Sequence, residues 1–371
     1  MVRTHPLVVV GGGVIGLLTA RELAMAGHEV RLFEQGTLGG EASWAAGGIL
    51  SPLHPWRYPD AVTQLAQASM AAYPALCQGL AEVTGIDPEW TPSGLMRLGD
   101  DEVREAERWA ARFDVSLEPR DLAEVCPGHG RDGPGLWMPA TAQVRSPRLL
   151  RAASAVVRGL KVMVHEQAAV EGFTRDRERL TGLVVNGETV AASRVIVCAG
   201  AWSRPLLERY GLSLPVRPMR GQMLVIQTRP GFLGPMILKG ARYLVPRRDG
   251  AVLVGSTMES VGFTKETTET AREDLLKAAH DILPELAAYP VTHQWAGLRP
   301  SSPEGVPYIG EHPEIRGLFV NTGHFRNGIV LAPASARLGV DLMLGRDPIL
   351  DPAPYGLDRP SGDGSGGAVL K

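Results

Sequence analysis

Cysteine is scarce in this chain: Cys77, Cys126 and Cys198 are the only three in 371 residues, far apart and without a CxxC pair. Too few and too scattered for a disulfide framework, they exclude a small stapled scaffold and suit a reducing compartment, the cytoplasm. Charge of one sign is missing as well. The 38 basic and 40 acidic residues leave a net charge of -2 with no long run of either kind. Such a balance offers no footprint for nucleic acid or an anionic membrane. The nine histidines show no metal-ligand spacing, so no metal is expected. No apolar run is long enough to span a bilayer. Residues 7–20 follow Arg3 and His5 somewhat as a signal-peptide core would, but glycines interrupt them and no small-residue cleavage site follows. There is no internal repeat. What remains is a chain 44% hydrophobic, enough for a large core and two intimately joined domains.

The informative stretch is residues 7–34, LVVVGGGVIGLLTARELAMAGHEVRLFE: an apolar strand, a glycine turn, a helix, and a second strand ending on a carboxylate. That order is a dinucleotide clamp. Gly11 permits the tight turn, Gly13 lets backbone approach a pyrophosphate, Gly16 lets helix pack on strand, and the helix N-terminus faces the phosphates. Glu34, eighteen residues past Gly16, can accept from a ribose hydroxyl. A glycine turn serving packing alone would not need that acid. Gln35 and Gly36 follow Glu34 with no arginine for a 2′-phosphate, which disfavours NADP and leaves NAD and FAD.

Further along, residues 61–84 read as a helix with its kink at Pro74, 87–99 as short extended segments, and 100–113 and 147–158 as helices. Residues 162–200 alternate as strands around an Asn186-Gly187 turn and close on the apolar RVIVCAGAWS. Small residues there let backbone pass close to a ligand, although a plain strand-to-helix turn would read the same. ARYLVPRRDGAVLVGSTM reads as a hairpin about Asp249-Gly250. With a two-residue turn, Arg248 faces Ala251 and Tyr243 faces Ser256, which puts Tyr243 and Met258 on one face, toward substrate. Residues 266–286 read as a helix. The tail from Pro352, rich in Gly, Pro, Ser and Asp, reads as disordered.

Two late segments separate the cofactors, GLRPSSPEGVPYIG at 297–310 and NTGHFRNGIVLAPASA at 321–336. The second opens a helix near Gly328, whose N–H groups and dipole suit the negative charge that a reduced flavin develops at its N1 and C2 carbonyl edge. A nicotinamide has no such need.

With these segments, SWAAGGILSPLHPWRY and YLVPRRDG, the chain resembles the D-amino-acid oxidase superfamily of flavoproteins over residues 6–355, nearest to its glycine-oxidising branch from thiazole formation in thiamine biosynthesis. The resemblance implies a doubly wound, Rossmann-like α/β domain and an antiparallel-sheet substrate domain. Residues 1–85, 145–215 and 292–352 would form the FAD-binding domain, 86–144 and 216–291 the substrate domain, and 353–371 the loose tail. It implies non-covalent FAD, since no cysteine follows Cys198 to carry a link. The residues implied for FAD are Gly11, Gly13, Val14, Ile15, Gly16, Glu34, Gln35, Ser43, Ala46, Gly47, Gly48, Val170, Ala199, Gly200, Trp202, Arg299, His324, Arg326, Asn327, Gly328 and Ile329. Those implied for substrate are Arg299 on its carboxylate, Tyr243 beside it, Arg326, Met258, Gly48 and Ser51. Ala241 stands where the family sometimes carries histidine. Hydride transfer from the α-carbon to flavin N5 needs orientation and a free amine more than a strong base, so no acid or base residue is assigned. The implied reaction gives an imine, then glyoxylate and ammonia, with hydrogen peroxide from oxygen, in a homo-oligomer. Two rival readings stay open here: a dehydrogenase passing electrons to a quinone or partner subunit, and a non-catalytic or NAD-linked dinucleotide-binding module.

Overall fold

The computed structural model describes residues 5–128 and 133–359. Two sheets organise the chain. The first has six strands in the order Tyr308–Glu311, Leu318–Thr322, Val195–Val197, Leu7–Val10, Val30–Phe33, Met163–His165. All neighbours run parallel except the edge pair formed by Tyr308–Glu311. Strands of a parallel sheet are covered on both faces and read as continuous apolar runs, as LVVV and VIV do here. Helices Val14–Met25, Asp60–Thr84, Ser146–Gly159 and Gly328–Leu344 bury one face through Leu17, Leu65, Leu149 and Leu331. A three-stranded antiparallel sheet over residues 170–191, turning at Asn186-Gly187, contributes Phe173 and Leu183 to the other face.

The second sheet has eight strands in the order Val291–Ser301, Arg217–Gln227, Ala251–Gly255, Arg242–Pro246, Met236–Lys239, Leu95–Leu98, Pro134–Met138, Glu118–Asp121. It is antiparallel throughout apart from one parallel pair, Met236–Lys239 beside Leu95–Leu98. Helix Glu269–Ile282 seals its outer face with Leu275 and Ile282, and Thr268 caps that helix by accepting from the Ala271 N–H. Pro284 follows and continues the chain as a 3₁₀ turn, which shortens the helix read over 266–286.

Val291–Ser301, read from residue 292 with the FAD-binding domain, pairs along its length with Arg217–Gln227 in the second sheet. Two expectations change. Residues 353–359 are packed: Tyr355 is fully buried and donates to Ala61 O at 2.8 Å, and Arg359 lies 3.7 Å over the Tyr308 ring. Composition hid those two anchors, and the rest of the tail lies outside the described residues. The hairpin turn holds three residues, since Arg247 N–H donates to Ala251 O at 2.8 Å and Tyr243 faces Gly255. Gly250, at φ +85°, serves the left-handed position that closes a three-residue loop.

Candidate active site

One cavity of about 440 Å³ runs between the two sheets and is lined by both. At the nucleotide end the Gly11 turn, with φ +104°, carries the chain from strand to helix. The approach is tight: a Cβ on Gly16 would lie 1.8 Å from Gly11 O. Glu34, buried at the end of its strand, accepts from Gly12 N–H (2.7 Å) and Gly36 N–H (2.8 Å), one on each carboxylate oxygen. Each oxygen keeps a lone pair for a ribose hydroxyl. Ser43 Oγ accepts from Val14 N–H at 3.0 Å and so satisfies one free donor of the first helical turn.

The second sheet forms the roof, and its register builds a second constellation. Tyr243 faces Gly255, which faces Met223, which faces Trp295 in a row across four strands. The missing side chain at Gly255 lets the tyrosine ring lie flat along that row, and its hydroxyl reaches Met223 Sδ at 3.8 Å. Arg299 sits four rows along, opposite Met219, and leans over Gly221, where a Cβ would fall 1.8 Å from Nη1. Its Nη1 donates to Thr257 O (3.1 Å) and its Nη2 to Ser256 Oγ (2.7 Å). Burial pushes this guanidinium down to about 10, with Tyr243 pulling it up and Arg326 pressing it down. Neither Arg299 nor Arg326 has a carboxylate partner within ion-pair distance among the described residues, so the roof end of the cavity presents two unpaired guanidinia. Arg247, half-buried, ties the roof to the loop below by donating to Gly47 O (2.8 Å), Val144 O (3.0 Å) and Gln143 Oε1 (2.7 Å).

The helix Gly328–Leu344 points its N-terminus at the same cavity, which Asn327, Gly328 and Ile329 line. Asn327 Nδ2 is buried there without a hydrogen-bond partner. A flavin fits this donor set, because an unpaired amide N–H and a helix N-terminus both want an acceptor. His324 is buried alongside, its ring held by Ser335 Oγ at 3.1 Å, and burial pushes its pKa down to about 3. It is neutral at physiological pH.

Of the residues assigned from sequence, the cavity brings together all but two. Gly16 stands behind the lining, in the packing role just described. Met258 lies beyond the end of Ala251–Gly255, half-buried and off the cavity, because the turn is one residue longer than a two-residue loop. Met223 lines the cavity in its stead. Sequence reasoning also missed Gly221 and Ser256. The alternation in RGQM, with small and apolar residues at every second position, was the available signal for the first.

Among the described residues no helix is long and apolar enough to cross a membrane, and no group of three or more His, Cys, Asp or Glu is placed to hold a metal.

Comparison with known proteins agrees with this geometry. The profile of the FAD dependent oxidoreductase family matches residues 6–342. The chain is 50% identical to a glycine oxidase of Pseudomonas aeruginosa, over 94% of this chain and 97% of that one. It is 33% identical to the bifunctional protein ThiO/ThiG of Trichormus variabilis, over 95% of this chain and 55% of the longer one. The crystal structure of glycine oxidase from Geobacillus kaustophilus superposes with a TM-score of 0.91 at 32% identity, covering 96% of this chain and 99% of that one. A dinucleotide cleft roofed by an arginine-bearing antiparallel sheet, matched over nearly its whole length, places the chain in the family of FAD-dependent oxidoreductases.

Proposed function

We propose that the protein oxidises glycine and other small amines or D-amino acids with molecular oxygen. Glycine, oxygen and water give glyoxylate, ammonia and hydrogen peroxide. The observation that carries this reading is the pair of guanidinia, Arg299 and Arg326, which line the roof end of the cavity with neither one ion-paired to a carboxylate among the described residues. An amino-acid carboxylate supplies that partner. The planar fork of Arg299 can meet both of its oxygens, each charge-assisted bond being worth about 1.5–3 kcal/mol. The Tyr243 hydroxyl, turned toward Met223 Sδ, is free to turn to the same carboxylate. FAD, when bound along Gly11, Glu34 and Asn327, supplies the acceptor of the α-hydrogen and its two electrons. The side chains around substrate serve to orient it and exclude water, and no titratable base among them needs to take the proton.

The ThiO/ThiG relatives support a place in thiamine biosynthesis, as a source of the imine or of glyoxylate. Three buried free thiols suit a cytoplasmic enzyme, and family resemblance supports a homo-oligomer. The experiment is peroxide release across glycine, sarcosine and D-alanine, run beside denaturation of the purified protein. A yellow protein that releases its flavin and makes peroxide with glycine is the expected result. A colourless protein, or one reduced by glycine that returns electrons to a quinone but not to oxygen, overturns it.

A further inference from the structure

We propose that Ser256 belongs to the carboxylate-binding site, holding the Arg299 fork in place and offering its own hydroxyl proton to the ligand. This rests on the substrate reading above and adds a group that neither the motifs nor the resemblance marked.

A guanidinium carries five N–H bonds. Arg299 uses two of them on the roof, one on Thr257 O at 3.1 Å and one on Ser256 Oγ at 2.7 Å. Three stay available to a ligand. The two bonds come from adjacent residues to the two terminal nitrogens, so they fix both the position of the fork and its plane. A two-oxygen ligand reads the orientation of that plane.

The hydroxyl of Ser256 has a second capacity. It accepts from Arg299, and among the described residues it has no acceptor for its own proton. The side chain is buried, yet it lines the cavity. A buried O–H without an acceptor is unfavourable unless a ligand provides one. An oxygen held by Arg299 is close to the acceptor this geometry requires.

The residue is itself held. Arg242 donates to the Ser256 carbonyl, and Tyr243, its neighbour in sequence, faces Gly255 from the adjacent strand. Ser256 is thus a fixed post between two arginines. A flexible serine could not impose a plane on Arg299, whereas one clamped through its own carbonyl can.

The test uses the purified holoenzyme and three variants, Ser256→Ala, Ser256→Thr and Arg299→Ala. Two readouts are taken: steady-state kinetics with glycine and with its ethyl ester, and the dissociation constant of glycolate from the flavin absorbance change. For Ser256→Ala, KM for glycine and the glycolate constant should both rise about tenfold while kcat stays within about twofold. The ester, which lacks the anionic carboxylate, should be handled as by the unsubstituted enzyme. Ser256→Thr, which restores the hydroxyl, should recover most of the loss. Equal losses with glycine and its ester, or lost flavin in both serine variants, would mean a structural role only and overturn the proposal. So would unchanged glycine KM and glycolate binding in Ser256→Ala. If Arg299→Ala also leaves both constants unchanged, the substrate reading itself fails. If Arg299→Ala weakens them and Ser256→Ala does not, the inference about the serine fails alone.

Discussion

The nucleotide cleft and the roof both hold a ligand, but they are made of different material. The pyrophosphate and ribose end of the cleft is mostly backbone, a turn at Gly11 and a helix N-terminus, with Glu34 as its one anchored acid, and those parts sit within a single stretch of sequence. The roof is mostly side chains, Arg299, Tyr243, Met223 and Ser256, contributed by four separate segments of chain. In a sheet the side chains alternate between faces, so a slip of one residue moves every one of them. Backbone sites therefore depend on where a side chain is missing, and side-chain sites depend on register.

The sharpest way to break the cleft is to add one carbon. In Gly16→Ala the new Cβ would lie 1.8 Å from Gly11 O, and both atoms belong to rigid backbone. Helix and strand must part, at a cost of about 1–3 kcal/mol or more, and the pyrophosphate loop moves with them. Purified Gly16→Ala should be colourless with a lowered Tm. A variant that keeps stoichiometric flavin and melts like the parent would show that the cleft tolerates the displacement.

Breaking the roof should spare the cleft. Arg299→Ala removes two charge-assisted bonds, about 1.5–3 kcal/mol each, so KM for glycine should rise by at least about a hundredfold with flavin retained. Loss of flavin in this variant would mean that the two regions are not separable as drawn.

That asymmetry also decided what could be read from the sequence. Gly11, Gly16 and Glu34 announce themselves because spacing within one strand-turn-helix unit leaves few alternatives. Strands of the parallel sheet showed as unbroken apolar runs. Arg299 and Tyr243 were reached through family resemblance, and their spatial relation was not legible. Counting outward from an assumed two-residue turn placed Tyr243 opposite Ser256, and Gly250 in a three-residue loop moved it to Gly255. Met258 lost its place for the same reason. Ser256 left no sequence signal, since its role comes from a contact 43 residues away in the chain. Tyr355 escaped notice because one aromatic anchor cannot outweigh a composition of Gly, Pro and Asp in a window average.

The effect that builds up most gradually compares the two regions through pH. His54 ties the lower loop to the roof, its Nε2 donating to Gly240 O at 2.8 Å, and burial pushes its pKa down to about 4. His324 lies beside the helix at the cleft, pushed by burial to about 3. Both are neutral when folded, whereas an unfolded histidine binds a proton below about 6.5. The unfolded state therefore holds more protons than the native state as pH falls, and stability falls with it. Each histidine contributes about 1.4 kcal/mol per pH unit. The loss begins below pH 6.5 for both and ends near 4 for His54 and near 3 for His324. His54→Asn suits the left-handed backbone at φ +52°, and His324→Gln keeps a polar group for Ser335. Urea titrations between pH 3 and 7 should show each variant with a shallower slope than the parent from 6.5 to 4. Between 4 and 3 only His324→Gln should differ. If His54→Asn also flattened that lower interval, the histidine at the roof would be as deeply desolvated as the one at the cleft, and the distinction between the two regions would not extend to their proton uptake.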